Sequence, residues 1–207
     1  MVAGSYTVTY FLEDLDGEIV STAVSQDGLT FKVAQGWNLL GARMPISLAT
    51  ELNDGAKITS LWKWANNTWA VRLPGDTDQG AGYALGKGFS LLSEIAPGEG
   101  FWVNSLQPLA VTPMGTPAAD TPLTLAPGWN LVSLQGAAAQ EVATLVDGKA
   151  ASVISLWKWE NGGWAVRLPA NEDGGQEYAD GKGFGLLTTI KPGEGFWVNA
   201  VSGVTLP

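Results

Sequence analysis

Ser60-Leu61-Trp62-Lys63-Trp64-Ala65-Asn66-Asn67-Thr68-Trp69-Ala70-Val71-Arg72-Leu73 is the stretch that decides the fold. Its side chains alternate with period two, which places Trp62 and Trp64 on one face of a strand and Trp69, Val71 and Leu73 on the matching face of the next. The same stretch returns at Ser155–Leu168, where the joining segment reads Glu160-Asn161-Gly162-Gly163. Asn-Gly is a strong hairpin signal because both central residues of a tight turn need positive φ. A two-residue turn there sets Trp159 opposite Trp164 and Trp157 opposite Val166, cross-strand pairs worth about 0.2–1 kcal/mol each. Asn66-Asn67 in the first copy tolerates that conformation less well than Asn-Gly.

Working outward, the repeat extends well beyond the hairpin. Gly36-Trp37-Asn38-Leu39 recurs as Gly128-Trp129-Asn130-Leu131, and Ser60–Asn104 against Ser155–Asn199 gives 31 identities in 45 positions without a gap. All ten Trp residues fall in the two copies, five in each. The period is longer than that of most solenoids, so the copies read as two tandem domains of one kind, 29–113 and 122–207, joined by a Pro-rich linker at 114–121. Each closes on a strand, near Leu109–Thr112 and Gly203–Leu206. Pro97-Gly98 and Pro192-Gly193 suit type II turns. Helix is expected only at Ala49–Leu52 and, more clearly, at Ala138–Val146, where Val142, Leu145 and Val146 share a face. The fold class is therefore all-β: two small sandwich-like or barrel-like domains, each with at most one short helix.

Residues 1–28 stand outside the repeat. Tyr6–Leu12 and Glu18–Val24 flank Asp14-Leu15-Asp16-Gly17 and read as a β-hairpin. A lone hairpin is marginal in water. It must pack on the first domain, complete a sheet in a neighbouring chain, or be the stump of a further domain.

The 207 residues contain no Cys and no His. That excludes thiol nucleophiles, disulfides, imidazole bases and metal sites built on either residue. Twenty acidic against eleven basic residues give a net charge of −9, with no basic patch, so nucleic acid and anionic membrane surfaces are unsuited as partners. No apolar run approaches the ~20 residues of a membrane helix, and Met1–Ser5 has neither the basic nor the apolar region of a leader.

Several motifs invite a chemical reading. Trp62, Trp64 and Trp69, on one apolar hairpin face, are expected to fill the core of a small domain. Trp102 and Trp197 alternate with buried-type neighbours, and Trp37 and Trp129 follow a turn glycine. These four, Trp37, Trp129, Trp102 and Trp197, are the candidates for stacking on a ligand. Asp76 and Asp78, with Asn171 and Asp173, have the alternating oxygens that open a calcium loop, although the acid required at position 12 is replaced by Lys87 and Lys182. Calcium, if bound, would be structural. Gly86-Lys87-Gly88 and Gly181-Lys182-Gly183 lack both the leading glycine and the Ser or Thr of a phosphate loop. Glu99 and Glu194 are the best repeated acids, yet each adjoins a Pro-Gly turn, where a carboxylate accepts local backbone hydrogen bonds. Lys63, Arg72, Lys158 and Arg167 lie on the hairpin face opposite the Trp residues, as solvated or salt-bridged groups. No catalytic constellation emerges, and a non-enzymatic protein is expected.

Gly-Trp-Asn-Leu, Leu-Trp-Lys-Trp, Trp-Ala-Val-Arg-Leu-Pro, Gly-Lys-Gly-Phe and Pro-Gly-Glu-Gly-Phe-Trp-Val-Asn together resemble a Trp-rich tandem module of large secreted and cell-surface proteins of environmental bacteria. The resemblance covers about 36–105 and 128–200. It implies export and a structural, adhesive or binding role, and it supplies no catalytic residues. The expectation is an extracellular structural or adhesive module whose partners are other surface proteins, itself or glycans. The alternatives are a carbohydrate-binding module using rim Trp residues, and a self-assembling subunit that donates strands from residues 6–24.

Overall fold

The computed structural model describes the backbone of 7–13, 19–26 and 30–207, and side chains from Thr30 onward. β1 (Thr7–Glu13) and β2 (Ile19–Gln26) pair antiparallel, as the alternating N-terminal segments imply. The acidic turn between them, and the question of what the hairpin packs against, lie outside the described residues.

The first repeat comprises β3 (Phe31–Val33), β4 (Gly36–Gly41), β5 (Ile58–Ala65), β6 (Thr68–Arg72), α1 (Ala81–Lys87), β7 (Ser90–Leu91), β8 (Gly100–Ser105) and β9 (Leu109–Val111). The second comprises β10 (Leu123–Leu125), β11 (Gly128–Ser133), β12 (Gln140–Glu141), α2 (Val142–Leu145), β13 (Val153–Glu160), β14 (Gly163–Arg167), α3 (Gln176–Lys182), β15 (Gly185–Leu186), β16 (Thr189–Ile190), β17 (Gly195–Ala200) and β18 (Val204–Leu206). Each repeat builds one five-stranded sheet, in the orders β4-β8-β5-β6-β7 and β11-β17-β13-β14-β15. The closing strands β9 and β18 pair with β3 and β10 as two-stranded ribbons. The fold class is all-β.

The hairpin registers follow the sequence: Trp159 faces Trp164 and Trp157 faces Val166, with Trp64 opposite Trp69 in the first copy. Asn161 and Gly162 take φ of 52° and 76°, and Asn66 and Asn67 take 52° and 58°. Both turns are therefore left-handed at both central residues, with asparagine carrying the less favourable second position in the first copy. Gly98 and Gly193 sit at φ of 85° and 84°, and the N–H of Glu99 donates to the Ala96 carbonyl. The Pro-Gly segments thus form the type II turns their composition suggests.

Two helical expectations fail. Ala49–Leu52 is a turn, and the second repeat has two helices instead of one. α1 and α3 arise in Gly-rich segments where no helix is expected. Each bridges a parallel crossover, from β6 to β7 and from β14 to β15. Local propensity would not form them, so their support comes from capping and tertiary packing. The Asp78 carboxylate accepts the N–H groups of Gly80 and Gly82, and Asp173 accepts those of Gly175 and Glu177. Gly88 and Gly183 close the helices in the αL conformation. Tyr83 and Phe89 pack edge-on against Trp62, as Tyr178 and Phe184 do against Trp157.

The cores are aliphatic around a buried Phe of each sheet. In the first repeat Leu61, Phe101 and Val103 from the sheet meet Phe31, Val33 and Val111 of the ribbon and Ile46, Leu48 and Leu52 of the loop after β4. In the second, Leu156, Phe196 and Val198 meet Leu125, Leu206 and the α2 face of Val142 and Leu145. Each such side chain contributes about 1.5–3 kcal/mol of burial. None of the ten Trp residues is among the buried ones. The expectation that Trp62, Trp64 and Trp69 form the core is thus corrected: they occupy the opposite face of the sheet. The hairpin strands are apolar on both faces, Leu61 and Ala70 on one and Trp62 and Val71 on the other, so alternation separates the faces without saying which one is enclosed. Leu, Ile, Val and Phe side chains fill the layer beneath the sheet and the indoles lie on its other face.

The repeats are not separate beads on a linker. The N–H of Gly41 donates to the Gly193 carbonyl, the N–H of Ser133 to the Gly98 carbonyl, and the Ser133 hydroxyl to the Ala42 carbonyl. Isolated bridges join Leu40 to Glu194 and Glu99 to Val132. A side chain would not fit at this seam: a Cβ on Gly195 would lie 2.2 Å from the Leu40 carbonyl oxygen, and one on Gly100 would lie 2.7 Å from that of Val132. Leu40 and Val132 are equivalent positions, as are Gly100 and Gly195, so the contact is reciprocal in the manner of an isologous dimer. The connector lies along the first repeat, with the N–H of Met114 donating to Glu51 and that of Ala118 to the Arg43 carbonyl.

Candidate functional site: a tryptophan cleft between the repeats

The Trp faces of the two sheets are turned toward each other. Trp197 of the second repeat meets three indoles, Trp64 at 6.2 Å, Trp69 at 5.8 Å and its own repeat's Trp129 at 6.0 Å, with interplanar angles of 55°, 77° and 87°. Its counterpart Trp102 meets Trp159 at 6.2 Å, Trp164 at 5.9 Å and Trp37 at 6.0 Å, at 57°, 75° and 87°. With Trp62 on Trp69 and Trp157 on Trp164, each cluster takes three hairpin indoles from one repeat and two indoles from the other. Edge-to-face pairs of this kind add about 0.5–1.5 kcal/mol beyond burial. The Nε1–H of Trp64 donates to the Trp129 carbonyl at 3.0 Å, fastening one cluster across the seam.

Between the clusters run two adjoining open clefts of about 510 and 440 Å³, lined only by tryptophan and sharing Trp69, Trp102 and Trp164. All ten indoles contribute to one or the other. Trp37 and Trp129 stand at the rim, 47% and 44% exposed. The structure thus brings together Trp37, Trp129, Trp102 and Trp197, the four indoles singled out from sequence, but divides them between two clusters. Trp62, Trp64 and Trp69, assigned to the core from their periodicity, complete the same walls with their counterparts Trp157, Trp159 and Trp164. Their signal was present in Leu61 and Ala70, which supply the core from the other face.

The Asn of Gly-Trp-Asn-Leu has a local task that sequence reasoning did not assign. The Asn38 side chain accepts the N–H of Ala34 and donates to the carbonyls of Ala34 and Gly36, and Asn130 does the same at Ala126 and Gly128. This clamp, with Gly36 and Gly128 at φ of 87° and 91°, turns the chain into β4 and β11 and holds the rim Trp in place.

The charged groups lie on the other face. Lys63 pairs with Glu99 at 2.9 Å, and Lys158, its side chain 5% exposed, pairs with Glu194 at 2.9 Å and Glu160 at 2.8 Å. Glu99 and Glu194 also accept the N–H of Ala96 and Lys191 at their Pro-Gly turns. Arg72 donates to Asn53. Asp78 and Asp173 are held below the usual carboxylate range by the backbone N–H groups they accept. Both carboxylates are thus engaged in capping. Asp76 and Asn171 lie in the same two loops, and the described residues assemble no group of three His, Cys, Asp or Glu side chains suited to a metal. Among the described residues no helix is long and apolar enough to cross a membrane. Comparison with family models, with curated proteins and with solved structures finds no match for the chain.

Proposed function

We propose that the protein is a non-enzymatic adhesive module of a secreted or cell-surface protein, and that its adhesive surface is the tryptophan cleft assembled jointly by the two repeats. One observation carries this reading: ten indoles converge from both repeats on an open concavity instead of entering either core. An all-aromatic surface left in contact with water is unfavourable to keep unless something docks there. The resemblance to Trp-rich modules of exported bacterial proteins supports the same role. A single joint cleft replaces the two independent sites that a beads-on-a-linker arrangement would offer, so the duplication serves to complete one site.

Acrylamide quenching of the folded chain tests this. A large quenchable share of the Trp emission, reduced when the rim is cut back by Trp37→Ala together with Trp129→Ala, is expected. Emission shielded throughout would leave the indoles as cement between the repeats and remove the basis for a binding role.

A further inference from the structure

The two cores are aliphatic around Phe side chains, whereas the walls of both clefts are indole throughout. A slot that needed only to be apolar would use the Leu, Ile and Val that serve the cores. The walls instead offer ring faces, which carry the negative side of the aromatic quadrupole. They offer almost no polar surface: the Nε1–H groups of Trp64 and Trp157 are donated inside the protein, that of Trp62 is buried, and no charged side chain lines either cleft. The clefts are also equivalents of one another. Exchanging each indole of the smaller cleft for its counterpart in the other repeat yields six of the seven indoles of the larger one. The same enclosure is thus built twice.

Resting on the adhesive reading above, we propose that the clefts seat quaternary ammonium groups of the choline type. Attraction of a cation to a ring face is strongest for Trp and acts within about 6 Å of the ring centroid. Neighbouring centroids within the two clusters lie from 5.2 Å (Trp64–Trp69) to 6.2 Å (Trp102–Trp159) apart, and the rings meet at 55° to 89°. A cation seated in such a corner is walled by ring faces and lies in range of several rings at once. A trimethylammonium group presents C–H bonds on every side and has no N–H, so walls without acceptors cost it no hydrogen bond. A primary ammonium would leave its N–H donors unpaired there, and a sugar its hydroxyls. An anion is opposed both by the ring faces and by the net charge of −9. A neutral alkyl group gains from burial alone and makes no use of the quadrupole that distinguishes these walls from the cores.

Titrating the full chain with choline, and separately with its neutral tert-butyl analogue in which carbon replaces the charged nitrogen, tests this by Trp fluorescence and indole N–H resonances. Saturable binding of choline, about 2- to 30-fold tighter than the analogue, is expected. Fluorotryptophan incorporated throughout withdraws electron density from the ring faces while nearly preserving their shape. It should remove most of that preference and leave the melting temperature close to that of the parent. Retention on phosphatidylcholine vesicles would assign the group to a lipid headgroup, and binding of free choline without retention would assign it to a soluble compound; both keep the proposal. Equal affinity for choline and its analogue, or no response to choline from indoles that acrylamide still reaches, would overturn the quaternary ammonium assignment and leave the adhesive reading standing. No response to either ligand, with the indoles shielded from acrylamide, would overturn both.

Discussion

At the scale of single residues, the free space, the burial and the hydrogen-bond partners of each side chain set what a substitution does. Gly181 lies within α3, outside the left-handed region, and a Cβ there would meet nothing within 4 Å. Gly181→Ala should therefore stabilise the protein by about 0.4–1 kcal/mol, chiefly by restricting the unfolded chain, as measured by urea unfolding. Lys158 presents the opposite case. Its ammonium is nearly enclosed between Glu194 and Glu160, so Glu194→Gln, which leaves one of the two carboxylates, should cost about 1–2 kcal/mol in the same assay. Asp78 and Asp173 add a pH dependence. Their native pKa values lie below those of the unfolded chain, so their contribution is complete above about pH 4 and is lost as pH falls through the native values. Asp78→Asn with Asp173→Asn should lower the melting temperature at neutral pH and flatten its decline on acidification below about pH 4.

Among the elements, the hairpins were the most legible and the helices the least. Register, turn residues and strand partners of β5–β6 and β13–β14 follow from alternation and from Asn-Gly alone. Asn67→Gly, which places glycine at φ of 58°, should raise the stability of the first hairpin by about 0.5–1 kcal/mol, seen as a higher denaturation midpoint with unchanged slope. α1 and α3 escaped reading because the glycines in and beside each make poor local helix. What holds them is Tyr83 and Phe89 on Trp62 and their counterparts on Trp157, contacts made only once the hairpin has formed. The visible clue was an Asp two residues before the Gly that precedes each helix.

For the whole molecule, the seam between the repeats decides behaviour. A Cβ on Gly41 would lie 2.3 Å from the Ser133 Cβ and 2.4 Å from the Glu194 carbonyl oxygen. Gly41→Ala should therefore push the repeats apart at a cost of about 1–3 kcal/mol, with Trp emission shifting to the red as the cleft opens. The parent chain should melt in one calorimetric transition across 30–207, because backbone hydrogen bonds at the seam and indole contacts couple the two repeats. Two resolved transitions would mean that the seam contributes little.

By itself the sequence determined the all-β class, the duplication, the hairpin registers, the type II turns and the local use of Glu99 and Glu194, since each depends on neighbours in the chain or on period-two alternation. It also marked Trp37, Trp102, Trp129 and Trp197 as the indoles most apt to meet a ligand. Only the tertiary structure decided which hairpin face is the core, that the repeats fuse through glycines, and that ten indoles share one cleft. Those outcomes turn on how two apolar faces compete for enclosure and on which side chains are small enough to let two backbones meet. Both are properties of residues tens of positions apart in the chain, beyond the reach of any local pattern.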